Sequence, residues 1–148
     1  PPRRRESARC RRGACRRARG CALTIELRQV RAGPGRQVVE GYGAGGFRIS
    51  GASYAGSVLV MPDRTMDWPV ATMAELDEAS FAAVVERGDI EILLLGTGAR
   101  MMPVSAEIRL ALKRAGIVVE TMDTGAACRT YNVLVAEDRR VAAALLKP

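Results

Sequence analysis

Residues 117–132, IVVETMDTGAACRTYN, decide the fold class. Residues 117–122 are apolar and β-branched, the composition of a buried strand, and Ala127, Cys128, Tyr131, Leu134 and Val135 then recur at helical spacing. Between the two lies a short polar turn, Asp123, Thr124 and Gly125, in which Asp or Thr caps the first turn of the helix. A strand that passes through a tight turn into a helix is a βα unit. Its turn falls at the carboxyl end of the strand, where open α/β sheets bind ligands.

The same pattern extends in both directions. Residues 90–95 (IEILLL) form an almost continuous apolar run, which predicts a central strand covered on both faces. GTGAR (96–100) follows at its carboxyl end. Ser105 then caps a helix with Ile108, Ala111, Leu112 and Ala115 on its core face and Gly116 as its stop. Residues 141–146 (VAAALL) have helical propensity, but their length and the Glu137-Asp138 turn before them predict a strand. Residues 90–146 therefore read β-α-β-α-β, which the right-handed crossover rule turns into a parallel core with helices on its faces. A shorter helix precedes it, with Asp77 as N-cap, Leu76 and Phe81 as a hydrophobic staple, Phe81, Val84 and Val85 as the buried stripe and Gly88 as the stop.

The first half is β-rich. Residues 23–29 alternate as a half-buried strand, 31–36 are turn chemistry, and 37–42, 47–50, 57–61 and 65–70 read as short strands. Trp68 is expected to anchor the core or its rim. Residues 41–46 match G-x-G-x-x-G letter for letter, but a strand follows them instead of a helix, so they read as a β-turn or bulge and not as a nucleotide fingerprint. The predicted fold is a three-layer α/β sandwich with a central mixed, largely parallel sheet and an additional β-rich N-terminal half.

Charge is unevenly distributed. The formal net charge is +7, but residues 1–20 hold nine Arg and one Glu, and the remaining 128 residues hold 14 basic and 15 acidic side chains. Residues 1–21 are therefore expected to be a disordered Arg-rich arm that binds polyanions non-specifically, and residues 22–148 a single α/β domain. The chain has no His, which removes Ser-His and Cys-His nucleophile pairs, and Cys10, Cys15, Cys21 and Cys128 fit no zinc spacing. No metal, cofactor or enzymatic activity is expected. No run approaches the roughly 20 apolar residues of a membrane span, so a soluble, intracellular protein is expected.

GTGAR and DTGAACRTYN leave strands predicted to be adjacent, which would bring Arg100, Asp123, Thr124, Arg129 and Asn132 to one candidate crevice. Each also has a structural reading: Asp123 and Thr124 as caps, Arg129 as a solvated helix residue, Asn132 as a hydrogen-bonding core residue. Cys128 beside Arg129 in the first helical turn is either an activated thiol or an inert packing residue. The alternative to an interaction protein is a small-molecule or nucleotide-binding protein, or an enzyme, using this crevice.

Several segments in order, FRISG (47–51), GSVLV (56–60), Trp68-Pro69, LLGTG (94–98) and DTGAACRTYNVLVAEDRRVAAAL (123–145), resemble a single-domain family of unassigned activity. That family includes the mitochondrial respiratory complex I assembly factor 3 and small bacterial and archaeal proteins. The similarity covers residues 23–147. It implies a three-layer α/β fold, no established cofactor, and an assembly or interaction role with a protein partner in respiratory-complex or membrane-insertion machinery. The chain departs from the family pattern in its arm and in Asp138, which stands where Gly is common; an αL turn tolerates Asp. Localisation follows the arm, mitochondrial if it is a transit segment and cytoplasmic if the protein is bacterial.

Overall fold

The computed structural model describes residues 24–27 and 32–148. The arm, Cys10, Cys15 and Cys21, and parts of the 23–29 strand and the 31–36 turn lie outside the described residues. A four-stranded antiparallel sheet, in the order β1-β2-β3-β4, is built from β1 (Thr24–Glu26), β2 (Val39–Gly43), β3 (Gly46–Ile49) and β4 (Ala52–Tyr54). The glycine corner is the β2–β3 hairpin. Gly46 there has φ 112°, and a Cβ on it would lie 1.9 Å from Tyr54 O, so only glycine lets β4 approach.

The second sheet contains β5 (Val58–Val60), β6 (Thr65–Asp67), β7 (Ile92–Gly96), β8 (Val118–Met122) and β9 (Val141–Leu145), in the order β6-β5-β9-β7-β8. β9-β7-β8 is the parallel part produced by the two crossovers, while β5 joins β9 and β6 joins β5 antiparallel. β9 occupies the centre and all five of its residues are buried. Its three alanines are poor strand formers in isolation, but burial between β5 and β7 overrides that preference.

Side chains alternate from this sheet into two cores. On one face Leu93, Leu95, Ala142 and Ala144 pack with Phe81 of the 3-10 turn Glu78–Phe81, Val84 of α1 (Ala82–Arg87), which follows it, and Ile108 and Leu112 of α2 (Ala106–Arg114). On the other, Leu94, Ala143 and Leu145 pack with Ala127, Cys128, Tyr131 and Val135 of α3 (Thr124–Ala136) and with Tyr42, Phe47 and Ile49 of the small sheet. These are the three layers.

Local signals mostly hold. Asp77 forms a reciprocal capping box with Ser80, Gly88 ends α1 at φ 73°, and Asp138 takes φ 57° in the turn before β9. Trp68 is buried, donates Nε1–H to Ser80 O at 2.8 Å and stands tilted against Phe81 at 5.7 Å. Three expectations differ. Val85 and Ala115 are exposed, because α1 is six residues long and Ala115 is the C-cap of α2 at a solvent-facing end. β8 is an edge strand and not a fully buried one, leaving Val118 57% exposed. Among the described residues no helix is long and apolar enough to cross a membrane.

Candidate functional site

The candidate residues lie where β7 and β8 end and α3 begins, and the fold uses most of them. Asp123 caps α3, its Oδ1 accepting Ala126 N–H at 2.9 Å. Thr124 is fully buried, and its hydroxyl donates to Leu146 O at 2.7 Å and accepts Gly98 N–H at 2.9 Å. Its own backbone N–H donates to Gly98 O, also at 2.9 Å. One side chain thus ties the start of α3 to the GTGAR loop and to the end of β9. At this helix end the amides of Thr124 and Ala126 are already bonded within the chain, as is Gly98 N–H in the loop, which is poor provision for a phosphate.

Asn132, also buried, sits two turns further along α3 and is not in the crevice. Its amide oxygen accepts Val39 N–H at 2.9 Å and its Nδ2 donates to Val39 O at 2.7 Å, the pairing a neighbouring strand would give β2. Arg129 is exposed and donates from Nη1 to Tyr42 Oη at 3.1 Å. Tyr42 is the participant that sequence reasoning missed: a Cβ on Gly125 would meet its hydroxyl at 2.5 Å, so Gly125 is the seat on which β2 meets α3. Tyr131 adds a fourth fastening by donating to Met61 O at 3.1 Å. Arg100 is exposed, and its side chain makes no hydrogen bond to another described residue. The structure therefore joins Asp123 and Thr124 to the GTGAR loop, sets Arg129 against Tyr42, and holds Asn132 apart.

Cys128 is fully buried, and burial pushes its thiol up to about 12, with Asp123 adding to the rise and Arg129 opposing it. Such a thiol packs and does not attack. Burial likewise raises the Tyr131 phenol. Among the described residues no buried side-chain polar atom lacks a partner, and no three His, Cys, Asp or Glu side chains gather where a metal would bind.

Fold and site together define a class: a three-layer α/β protein whose buried strand-end side chains, Thr124 foremost, are hydrogen-bonded within its own scaffold. Residues 39–146 match the family described as "Protein of unknown function (DUF498/DUF598)". The chain belongs to that family. It is 36% identical over 126 residues, 84% of this chain and 72% of the relative, to the NADH dehydrogenase [ubiquinone] 1 alpha subcomplex assembly factor 3 of Danio rerio. It is 38% identical over 108 residues to an uncharacterised protein of Rhodobacter capsulatus, covering 73% of this chain and 82% of that one. Among solved structures, the crystal structure of an outer membrane protein from Bartonella henselae superposes with a TM-score of 0.71 at 41% identity, over 77% of this chain and 97% of that chain.

Proposed function

We propose that the protein is a non-enzymatic assembly factor that acts by contact with a protein partner in the biogenesis of respiratory complex I, and that its contact surface is the rim of the strand ends carrying Arg100 and Arg129. The observation that carries this reading is the commitment of Thr124: its hydroxyl both donates and accepts within the scaffold, leaving that buried group no proton to donate to a ligand. The polar groups that remain at this end are exposed guanidiniums, suited to planar, bidentate contacts with carboxylates across an interface. The likeness to an animal complex I assembly factor supplies the process in which such a contact would serve. Residues 1–21 act as an appended arm, and the cellular compartment follows from what that arm does.

Arg129→Ala tests the rim. The substitution removes one part-buried hydrogen bond to Tyr42, so stability falls by about 1 kcal/mol. Affinity capture from the cell of origin, read by mass spectrometry, is expected to recover complex I subunits or their assembly intermediates with the wild type and fewer with the variant. Equal recovery sinks the role of the rim, and recovery of neither subunits nor intermediates by the wild type sinks the assembly reading.

A further inference from the structure

The GTGAR loop runs on into two methionines, Met101 and Met102, that are 61% and 48% exposed. The chain has six methionines, and the other four are sheltered. Met61 is fully buried, Met66 and Met73 pack against the core on the α1 and α2 side of the large sheet, and Met122 packs against the core on the α3 side. The Met61 sulfur is also engaged, accepting from Arg87 Nη1 at 3.9 Å. Beneath the exposed pair the backbone is fixed: Thr97 Oγ1 donates to Arg100 O at 2.6 Å and accepts Met102 N–H at 3.0 Å, while Thr97 N–H donates to Met122 O at 2.9 Å. Met101 and Met102 therefore meet solvent in the folded protein, with no opening of the structure required.

We propose that Met101 and Met102 form a reversible sulfoxidation site whose oxidant is hydrogen peroxide. In the forward step a thioether lone pair attacks one peroxide oxygen, the S–O bond forms as the O–O bond breaks, and sulfur gives up two electrons. The other oxygen leaves as hydroxide and takes the proton of the transferred oxygen, so one water is released per sulfoxide. In the reverse step the thiol pair of a methionine sulfoxide reductase removes the oxygen as water and is itself oxidised to a disulfide. Cys128 does not compete for the oxidant, because it is buried and its thiol stays protonated. The fold tolerates the added oxygen at these two positions and not at Met61. On Met101 or Met102 it is solvated where it stands, since the loop is held by Thr97 and by backbone groups and not by either thioether. On Met61 it would have to enter a packed core and displace the Arg87 contact. Oxidation of the pair thus turns two apolar groups beside Arg100 into polar, chiral ones and leaves the scaffold as it is.

Full-length protein treated with hydrogen peroxide under native conditions and mapped by peptide mass spectrometry tests the site. Met101 and Met102 are each expected to gain one oxygen at least about tenfold faster than Met61, with Met66, Met73 and Met122 behind both members of the pair. In urea that unfolds the chain the six rates should converge, which makes shelter and not intrinsic reactivity the cause of the order. Protein oxidised at the pair should melt within about 2 °C of the untreated protein, and the two epimer-specific sulfoxide reductases with a dithiol should return both residues to methionine. Met101→Leu/Met102→Leu, which keeps the volume and apolar character of the pair, should fold as the wild type does and take up no oxygen at methionine at the same peroxide dose. The proposal is overturned if any of the other four methionines oxidises as fast as Met101 or Met102 in the native protein, if oxidation of the pair unfolds it, or if the reductases leave the sulfoxides in place.

Discussion

Thr124 is the residue on which the scaffold and the ligand-site readings part, and Thr124→Val separates them. Valine keeps the shape of threonine and replaces its hydroxyl with a methyl group. The buried Gly98 N–H loses its acceptor, and Leu146 O, also buried, loses its donor. Each orphaned buried group costs about 1–3 kcal/mol, so the substitution should cost about 2–6 kcal/mol in all. Thr124→Ser keeps both hydrogen bonds and removes one methyl, a loss of about 1 kcal/mol. Urea unfolding of the wild type and both variants, with m unchanged, measures the difference. Valine should cost at least 1 kcal/mol more than serine. If the two cost the same, the hydroxyl does not hold the fold together and its proton is not committed to the scaffold.

Cys128 gives a pH signature. Its folded thiol lies near 12 and its unfolded one near 8.5, so above about pH 8.5 the unfolded chain releases a proton that the folded chain keeps, and stability falls with rising pH. Relative to Cys128→Ala, the wild type should lose about 1.5 kcal/mol between pH 8.5 and pH 10, and in a variant with Cys10, Cys15 and Cys21 replaced by Ser the native thiol should resist a disulfide reagent at pH 8; fast labelling would show it accessible. A version beginning at Ala22 should unfold at the same temperature as the full chain and lose salt-sensitive retention on heparin, whereas retention would place the polyanion site elsewhere. NAD, ATP and coenzyme A should shift the melting temperature by less than about 1 °C, since a ligand at 100 times its Kd adds about 2.7 kcal/mol; a dose-dependent shift removed by Asp123→Ala would revive the ligand site.

Local chemistry was readable in the sequence, and distant pairing was not. β9 could be read as a strand despite its alanines from its length and the Glu137-Asp138 turn before it, where Asp138 takes φ 57°, and the caps at Asp77, Ser105 and Asp123 are contacts within three residues. β4 was missed because none of its three residues is buried, so it carries no apolar period. The exposed face of β8 was read as buried because β-branched composition does not distinguish an edge strand from an inner one. At the site, the capping role of Asp123 was legible. The pairs that explain Asn132 and Arg129 were not, because Asn132 meets Val39 across 93 residues and Arg129 meets Tyr42 across 87, and no local pattern encodes either.

The central claim, an assembly role in respiratory complex I carried out by contact, is tested most directly by deleting the gene in the organism of origin and measuring assembled complex I in its membranes on a native gel. The account predicts that assembled complex falls below about half, that a wild-type copy restores it, and that a copy carrying Arg100→Glu and Arg129→Ala, though equally abundant, does not. An undiminished level of assembled complex I in the deletion strain would contradict it.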